Sequence, residues 1–358
     1  MSNSHLQSYQ LYDKPVEFQS AMLDDIEQAQ QFIYLETYKY ANDKIGEAFR
    51  DALTRKAKQG VKVKVLIDSW GAYVNELFFA ELIRYGGEVR FFQKILFSFD
   101  FFTKNHRRNH HKVMVIDNKI SYIGSANITG YSLEWRESVL RMHGTISEVL
   151  RKTFVDSYKI YRKYIFNKFA YKKTIVHGEF EVVQDLPSIY RQQIKNKYEL
   201  LINKAKKDII IESPYFLPGY MMRKALIAAT ARGVKVKVIM PWHSDVQAVD
   251  LLRGKYLMYY YKHKIEIVFY TPSNLHAKIM LIDNEVFAMG SPNFDYRSFR
   301  YQHEIMLLGR HKGIITQISH HIKETLSQSI PFDHISWMRR PLFEKFLGWA
   351  LIPFRHLF

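Results

Sequence analysis

Two short segments of this chain carry the same five residue types at the same spacing. One is NHHKVMVIDNKISYIGSANI and the other is NLHAKIMLIDNEVFAMGSPNF. Five specified positions at fixed spacing arise by chance at below roughly one in a million per starting point. The repeated residues are His110, Lys112, Asp117, Gly124 and Asn127 in the first copy and His276, Lys278, Asp283, Gly290 and Asn293 in the second. Two imidazoles and two ammonium groups in equivalent settings are suited to holding and cutting a phosphodiester.

The spacing predicts how each copy folds. The apolar runs from Val113 to Ile116 and from Ile279 to Ile282 are typical of buried strands, on which side chains two residues apart point to one face. The histidine and lysine of each copy are therefore expected to project together. The Asp-Asn pairs that follow predict turns into second short strands at 120–124 and 286–290. Each copy is thus predicted to be a hairpin that presents one histidine and one lysine.

Other interpretations of these residues stay open from the residues alone. Asp117 and Asp283 either orient a histidine ring or shape the hairpin, because aspartate is favoured in turns. His111 lies on the opposite strand face from His110 and corresponds to Ala277, so we interpret it as structural. Metal binding is the other function of paired histidines. The chain has no cysteine, neither copy has the His and carboxylate cluster of a zinc site, and the nearby lysine would repel a cation. We therefore predict no metal.

The two segments resemble the paired motifs of the phospholipase D superfamily, whose pattern is H-x-K-x4-D-x6-G-x2-N. The chain is most similar to bacterial cardiolipin synthases, through GSPNFDYRSFRYQHE in its second half, the WRE tripeptide after the first motif, and the segment SPYFLP. The resemblance covers the sequence from about Val16 to the C-terminus. The sequence departs from most of those synthases in having no transmembrane hairpin ahead of the first half. Its first motif also has Gly124-Ser125 where many synthases have two glycines, which should leave the chemistry intact.

This resemblance implies an α/β fold of two similar phospholipase D-type α/β/α halves, related by a pseudo-two-fold axis with the active site between them. The catalytic residues that it implies are His110, Lys112, Asp117, His276, Lys278 and Asp283. The substrate-binding residues that it implies are Ser125, Asn127, Ser291, Asn293, Glu137 and Glu304, of which the two glutamates match family positions that orient the histidines. The lysines and asparagines would bind the non-bridging phosphate oxygens, so neither metal nor cofactor is expected.

The implied mechanism is covalent catalysis by the two histidines. One neutral histidine attacks the phosphorus and forms a phosphohistidine, while the other, protonated, gives a proton to the departing alkoxide. The second histidine then deprotonates the incoming alcohol or water. Analogy with the family favours His110 as the nucleophile.

An internal duplication extends beyond the motifs. FIYLETY precedes a helical stretch and KQGVKVKVLID in the first half, and IIIESPYF precedes a helical stretch and ARGVKVKVIMP in the second. This alternation is typical of α/β layer folds. We predict a first half over 1–172, a second half over 173–336 and an amphipathic tail over 337–358, with the boundary in the basic, aromatic stretch 161–173. Because the chain carries both halves, a monomer is expected to be catalytically complete.

The composition indicates an anionic partner. The formal net charge is +17 and the pI is about 9.6, which a nuclease of the same superfamily would share. The segments 91–104 and 161–173 interleave aromatic residues with lysine and arginine, as membrane-interface surfaces do, although partly buried elements and base-stacking surfaces show the same pattern. The N-terminus is polar and no stretch has the length of a membrane span. We predict a cytoplasmic protein bound peripherally to the inner face of the cell membrane.

The C-terminal tail is a third segment of this kind and favours the membrane. Its apolar residues Leu342, Phe343, Phe346, Leu347 and Ala350 recur at helical spacing on one predicted face, which Trp349 and Leu351 widen. Arg339, Arg340, Lys345 and Arg355 flank that face. The alternative is a helix packed on its own domain.

These observations favour a phosphatidyltransferase of cardiolipin synthase type. One phosphatidylglycerol would give its phosphatidyl group to the hydroxyl of another, and glycerol would leave. A hydrolytic phospholipase D shares every catalytic residue and is the alternative. A nucleic-acid phosphodiesterase is the less favoured third hypothesis.

Overall fold

The computed structural model describes residues 6–93, 107–162, 173–188 and 191–354 of the 358-residue chain. The strands in these ranges, numbered in chain order, are β1 Ser8–Tyr12, β2 Phe32–Thr37, β3 Lys62–Asp68, β4 Glu88–Phe92, β5 Arg108–Asn109, β6 Val113–Ile116, β7 Ile120–Gly124, β8 Val139–His143, β9 Lys173–His177, β10 Phe180–Asp185, β11 Asp208–Glu212, β12 Phe216–Leu217, β13 Lys235–Pro241, β14 Ile265–Tyr270, β15 Ile279–Ile282, β16 Val286–Gly290, β17 Phe294–Asp295, β18 Gln302–Gly309 and β19 Ser329–Pro331.

The helices in the same ranges are α1 Pro15–Gln28, α2 Lys44–Lys58, α3 Ala80–Arg84, α4 Ile146–Ile160, α5 Gln193–Lys204, α6 Tyr220–Ala231, α7 Gln247–Lys262, α8 Tyr296–Tyr301, α9 Lys312–Ser327, α10 His334–Met338 and α11 Leu342–Ala350. Short 3-10 turns occupy Leu77–Phe79 and Ile352–Phe354. Within the described ranges, no helix is both long and apolar enough to cross a bilayer.

Seven strands follow one order in both large sheets. The order is β1-β8-β7-β6-β2-β3-β4 in the first sheet and β10-β18-β16-β15-β11-β13-β14 in the second, which β9 and β19 extend. The register also repeats, because Glu36 pairs with Val113 on β6 and Glu212 pairs with Ile279 on β15. The predicted α/β fold of two similar halves is confirmed, and so are the four predicted motif strands, residue for residue.

Parts of the sequence predictions concern residues outside the described ranges. Residues 163–172 of the predicted boundary stretch lie there, so the division at 172/173 stays a prediction. Residues 94–104 of the first aromatic, basic segment and residues 355–358 of the tail, including Arg355, also lie outside the described ranges.

The motif strands are apolar throughout because both of their faces are buried. On β6, Val113 and Val115 pack in a core shared by the two halves, where Ile279 of β15 also packs. Met114 and Ile116 point the other way, into the core of the first half. A strand with a core on each face has no position left for a polar residue, which gives an unbroken apolar run.

Glycines end the equivalent helices of the two halves. Gly60 follows α2 with a φ of 86°, and Gly233 follows α6 with a φ of 88°. Residues with a Cβ rarely adopt this left-handed conformation, whereas glycine adopts it at little cost. The chain therefore turns at both points into the strands β3 and β13, as the repeated strand, helix, glycine and strand pattern predicts.

A buried ion cluster joins the two halves beside the shared core. His321 of α9 lies between two carboxylates, with Nε2 2.7 Å from Glu212 Oε2 and Nδ1 3.4 Å from Asp13 Oδ2. Arg136 completes the cluster, since its Nη2 lies 3.0 Å from Asp13 Oδ2 and its Nε donates to Thr325 Oγ1. Burial disfavours the imidazolium, but Glu212 and Asp13 outweigh burial and raise the pKa of His321 to about 9. A protonated histidine thus links the first half, through Asp13, to the second, through Glu212.

This cluster predicts a pH-dependent stability. The folded-state pKa of His321 lies above its ordinary value of 6.5, so its contribution is fully present below about pH 6.5 and is lost as the pH rises through about 9. The difference corresponds to about 3 kcal/mol at most. The midpoint of urea unfolding of the wild type should fall over this window, and that of His321→Gln should start lower and fall less.

His320→Gln is the matched control for this prediction. His320 is the neighbouring residue on α9, but its side chain is 71% exposed, and it pairs with Glu324 at the surface. Its unfolding profile should run parallel to that of the wild type. Parallel profiles for wild type and His321→Gln would contradict the assignment.

Candidate active site

Each motif histidine is oriented by a carboxylate from the other half. His110 Nδ1 lies 3.1 and 3.2 Å from the two carboxylate oxygens of Glu304. His276 Nδ1 lies 2.9 Å from both carboxylate oxygens of Glu137. All four side chains are buried. Because Nδ1 of each ring is engaged, Nε2 is the nitrogen left for a substrate.

The crossing follows from backbone hydrogen bonds between the halves. The short strand β5, just ahead of His110, pairs in parallel with β18 of the second half, and His110 N donates to His303 O at 2.9 Å. In the same way His276 N donates to Arg136 O at 2.7 Å. In both places the next residue after the acceptor is the glutamate. The backbone therefore delivers each glutamate to the histidine of the opposite half.

The motif serines fix the two glutamates. Ser125 Oγ donates to Glu137 Oε2 at 2.5 Å, and Ser291 Oγ donates to Glu304 Oε2. Both serines are fully buried. With one carboxylate oxygen held by a hydroxyl, each glutamate keeps a fixed orientation toward its imidazole.

The motif glycines are required by close strand contacts. A Cβ on Gly124 would lie 2.1 Å from Ser138 O, and a Cβ on Gly290 would lie 2.3 Å from Ile305 O. Gly290 also has a φ of 154°. Only glycine lets each strand approach its neighbour this closely, and the neighbour is the strand on which the glutamate segment continues.

Each motif lysine folds back onto the backbone of its own histidine. Lys112 Nζ donates to His110 O and Lys278 Nζ donates to His276 O, both at 2.8 Å. Burial, joined by repulsion from Lys278, lowers the pKa of Lys112 well below its ordinary value. Burial lowers the pKa of Lys278 to about 8, although Glu137 opposes the change. An anion bound nearby would restore the charge of both ammonium groups, so the site favours an anionic ligand.

The two histidine–glutamate pairs differ in their protonation. Burial and the two motif lysines lower the pKa of His110 well below its ordinary value, and burial raises the pKa of Glu304 to about 7. In the other pair, burial acts against the charge of Glu137, but His276, joined by Lys278 and Ser125, outweighs burial and holds the pKa of this carboxyl below its ordinary value. Burial lowers the pKa of His276 as well, and the ionised Glu137 opposes this. His110 is therefore neutral, and an imidazolium forms more readily at His276.

A cavity opens between the two histidines. His110, His276, Asn127 and Asn293 all line it. Asn127 Oδ1 accepts a hydrogen bond from Lys39 N at 3.1 Å, which leaves its amide nitrogen for a ligand. The predicted histidines, asparagines, serines and glutamates are thus brought together in one place.

Comparisons with known proteins identify the family of this chain. Residues 22–157 and 198–326 match the family model described as "Cardiolipin synthase, PLD-like domain". The chain belongs to the cardiolipin synthase family of phospholipase D-like proteins. It is 31% identical to the major cardiolipin synthase of Bacillus subtilis (strain 168) over 335 residues, which is 90% of this chain and 69% of that protein. It is also 31% identical to a cardiolipin synthase of Listeria welshimeri over 342 residues, covering 91% of this chain and 70% of that protein.

A solved structure shares the fold of this cardiolipin synthase family member over its whole length. The crystal structure of phosphatidylserine synthase from Haemophilus influenzae Rd KW20 superposes with a TM-score of 0.77 and covers 99% of this chain and 96% of that one. The sequence identity is 14%, so this likeness concerns the fold alone.

The structure does not bring the motif aspartates Asp117 and Asp283 to the histidines. Both lie in hairpin turns at the far end of the first motif strand, each with a φ of 53°. The carboxylate of Asp117 accepts three backbone hydrogen bonds of 2.8 Å from residues 30–32, and that of Asp283 accepts bonds of 2.7 to 3.2 Å from residues 206–208. The sequence left open whether these aspartates orient a histidine ring or shape the hairpin. Their contacts shape the hairpin and anchor the neighbouring strand. Burial opposes ionisation of Asp283, but its backbone donors hold the pKa below its ordinary value.

Sequence reasoning missed several side chains that line the cavity, namely Tyr38, Lys39, Trp70, Tyr215, Asp245 and Arg297. Lys39 and Tyr215 follow the ends of the equivalent strands β2 and β11. Their position directly after a repeated strand could have indicated them. Asp245 and Arg297 have no like residue at the corresponding positions of the first half, Ala72 and Tyr131. A search for repeated residues cannot find them.

The contacts predict different effects for two classes of motif residue. His110→Ala and His276→Ala should each lower activity by ~10²–10⁴-fold, the usual share of acid–base catalysis, with thermal stability kept. Asp117→Ala and Asp283→Ala should instead lower the free energy of unfolding by about 1–2 kcal/mol, because backbone donors lose their partner.

The measurement combines urea unfolding with activity per folded molecule at low temperature. The aspartate variants should keep activity within a few-fold of the wild type where they are folded. An aspartate variant that is stable yet as inactive as the histidine variants would contradict the anchoring role.

Proposed function

We propose that this protein is a phosphatidyltransferase of cardiolipin synthase type that joins two phosphatidylglycerol molecules into cardiolipin and releases glycerol. The observation that carries the proposal is the pair of crossed histidine–glutamate assemblies around one cavity, in a chain 31% identical to a cardiolipin synthase over 90% of its length. This arrangement provides a nucleophile and a general acid for a phosphodiester.

In the first step, Nε2 of His110 attacks the phosphorus of the donor. The bond from phosphorus to the glycerol oxygen breaks, its electron pair stays on that oxygen, and His276 supplies the proton that completes free glycerol. In the second step, His276 takes the proton of a hydroxyl on a second phosphatidylglycerol. That oxygen attacks the phosphorus, and the bond to His110 breaks with its electron pair returning to the imidazole.

The electrostatics of the site support this division of labour. A nucleophilic imidazole must be neutral, and burial with the two lysines keeps His110 so. The acid needs a proton, and the ionised Glu137 beside His276 favours the imidazolium. His110 as nucleophile also agrees with the analogy to the family.

Lysine and asparagine side chains are suited to the charge of the phosphoryl group. Lys112 and Lys278 each use one ammonium proton on a backbone carbonyl and keep others for a ligand. With Asn127 and Asn293 they would bind the non-bridging oxygens as charge moves in the transition state. These fixed cations and dipoles supply what Mg²⁺ supplies in many phosphoryl-transfer enzymes, so we propose catalysis without a metal or other cofactor.

We also propose that one chain makes a complete site. Both histidines, both glutamates and both serines come from the same chain, and each pair joins the two halves within it. A single chain therefore holds every group that the two steps require.

The C-terminal helix α11 supports peripheral binding to an anionic membrane, which we place at the inner face of the cell membrane. One side of α11 packs on α7, where a Cβ on Gly348 would lie 2.9 Å from Leu251 O and where Leu351 packs beside Leu252. The other side is exposed and apolar, and consists of Leu342, Phe343, Phe346 and Trp349, which are 60–79% exposed.

The tail thus combines the two alternatives drawn from its sequence. Leu347 and Ala350, expected on the exposed apolar face, are half-buried. Packing through Gly348 holds the helix on the body, while its aromatic side stays free for acyl chains, with Arg339, Arg340 and Lys345 near the polar headgroups.

The proposed reaction is tested with vesicles of pure phosphatidylglycerol. The purified protein should form cardiolipin and glycerol in equal amounts without a nucleotide-activated lipid and in the presence of EDTA. Enzyme given lipid labelled in its phosphatidyl group and then denatured with detergent at mildly alkaline pH, where a phosphorus–nitrogen bond survives, should carry the label on His110, and His110→Ala should carry none.

Several outcomes would contradict this proposal. Phosphatidic acid as the sole lipid product would make the protein a hydrolase, and cleavage of single-stranded DNA with lipids untouched would make it a nuclease. Loss of activity in EDTA that a divalent ion restores would contradict the metal-free mechanism.

The docking role of α11 is tested by replacing its exposed side alone. The triple variant Phe343→Ser, Phe346→Ser, Trp349→Ser should sediment less with anionic vesicles and turn over bilayer substrate more slowly, because the apolar area available to the bilayer is lost. Its thermal unfolding midpoint and its rate on a soluble short-chain phosphodiester should match those of the wild type.

Val176→Ser is a matched control for the triple variant. Val176 is 68% exposed, as Phe343 is, but it lies on the edge strand β9. It should leave vesicle binding unchanged. Equal vesicle binding by the triple variant and the wild type would contradict the docking role, and so would equal losses on bilayer and soluble substrates.

A further inference from the structure

The motif residues of the site repeat in both halves, but other residues that line the cavity do not. The histidines, lysines, asparagines, serines and glutamates repeat in both halves, but Asp245 corresponds to Ala72, and Tyr215 corresponds to Lys39. Asp245 lies in the loop after β13 and enters the cavity from the second half. A carboxylate has therefore been added on one side of an otherwise duplicated site.

The contacts of Asp245 hold one of its oxygens and leave the other available. Tyr215 donates its phenolic hydrogen to Asp245 Oδ1 at 2.5 Å, and Asn274 Nδ2 lies 3.5 Å from the same oxygen. Within the described ranges, Oδ2 accepts no hydrogen bond, and the side chain is exposed to the cavity. A carboxylate oriented through one oxygen is prepared to accept a hydrogen bond through the other.

This carboxyl is ionised and belongs to the His276 side of the cavity. The surrounding protein atoms act to raise its pKa, but His276, the hydrogen bond from Tyr215, and Lys39 outweigh them and hold the pKa below its ordinary value. Lys39 itself donates to Tyr131 Oη at 2.8 Å, and the centre of the Trp135 ring lies 5.2 Å from that of His276, with the two rings tilted by 57°. Asp245 and Lys39 line the cavity together with His276.

A fixed carboxylate is unsuited to the phosphate itself. It would repel the non-bridging oxygens, which the lysines attract. The group that it can bind is a hydrogen-bond donor, and in a glycerol phosphodiester the donors are the free hydroxyls of the headgroup. If His276 serves the leaving and the incoming alcohol, these hydroxyls lie on its side of the cavity, where Asp245 is.

We propose that Asp245, braced by Tyr215, is the alcohol-binding residue of the site, and this rests on the function proposed above. In the first step, its Oδ2 accepts a hydrogen bond from a free hydroxyl of the donor's glycerol headgroup. In the second step, it accepts one from the hydroxyl of the acceptor's glycerol that does not react, while His276 takes the proton of the reacting hydroxyl. Asp245 neither forms nor breaks a covalent bond, so it determines specificity and position.

This role gives a chemical reason for transfer to a polyol. A vicinal hydroxyl lets an acceptor bind to Asp245 through one oxygen and attack phosphorus with the next. Water and simple alcohols have only the oxygen that reacts, so they gain nothing from the carboxylate. Asp245 is therefore expected to raise the rate for glycerol-type acceptors relative to mono-alcohols.

The experiment compares two soluble acceptors on phosphatidylglycerol vesicles. Labelled glycerol and 1-propanol are supplied together, so that exchanged phosphatidylglycerol and phosphatidylpropanol form from the same phosphohistidine intermediate. Their ratio then reports the second step alone. In Asp245→Ala and Asp245→Asn, the ratio of exchanged phosphatidylglycerol to phosphatidylpropanol should fall roughly tenfold or more, the effect of losing a hydrogen bond to a charged group. Tyr215→Phe should give a smaller change in the same direction.

The control is Glu266→Ala, an exposed acidic residue of the same half that pairs with Lys237 at the surface. It should leave both rates unchanged. Thermal unfolding midpoints of all variants confirm folding, and the near-isosteric Asp245→Asn serves if Asp245→Ala does not fold.

Three outcomes would overturn this inference. A lower total rate with an unchanged product ratio would show that Asp245 acts through His276 or the donor and not on the acceptor. Unchanged rates in the Asp245 variants would show that it has no part in the reaction. A wild-type preference for ethanolamine over glycerol and 1-propanol would show that the carboxylate binds a cationic group. If the wild type transfers the phosphatidyl group to no alcohol, the proposed function itself is wrong. The three results above would overturn the role of Asp245 alone.

Discussion

The exchange of carboxylates between the two halves is the constraint on which the site depends. Glu304 orients His110, and Glu137 orients His276. Backbone hydrogen bonds from His110 to His303 and from His276 to Arg136 bring each glutamate to the opposite half. The shared apolar core holds the two sheets close enough for these bonds to form. Since each imidazole needs a partner to fix its tautomer, neither half alone contains an oriented histidine. The requirement explains why the interface carries packed valines and isoleucines and a buried ion cluster.

The site combines motif residues that repeat in both halves with surrounding residues that do not repeat. In the proposed mechanism, the repeated histidines, lysines and asparagines are two similar sets of groups that act on one phosphorus atom. The surroundings of the two histidines are unequal, because burial and the lysines keep His110 neutral while the ionised Glu137 favours a proton on His276. Asp245 adds a further difference on the His276 side. A duplicated site can thus support a reaction whose two steps need an acid and a nucleophile at fixed places.

The sequence predicted the parts that short-range patterns determine. The strands β6, β7, β15 and β16 have the predicted bounds. A strand that is buried on both faces has an unbroken apolar sequence, and the Asp-Asn turn marks where the first strand of each hairpin ends. The role of Asp117 was not determined, since its backbone partners lie more than eighty residues away. The crossing of the glutamates was also beyond sequence reasoning, because the spacing within one copy contains no information about the other half. Asp245 and Arg297 were missed because they do not repeat, and the inward side of α11 depends on a contact at Gly348 with distant Leu251.

The exchanged glutamates also determine what happens when inactive proteins are mixed. In an enzyme whose site is shared between identical subunits, two different inactive variants can exchange subunits and regain some intact sites. Here both members of each pair come from one chain. Complementation between a variant altered at His110 and one altered at His276 would require the halves themselves to separate and re-pair across chains. The shared apolar core and the ion cluster around His321 oppose that exchange, so we expect each chain to keep its own defect.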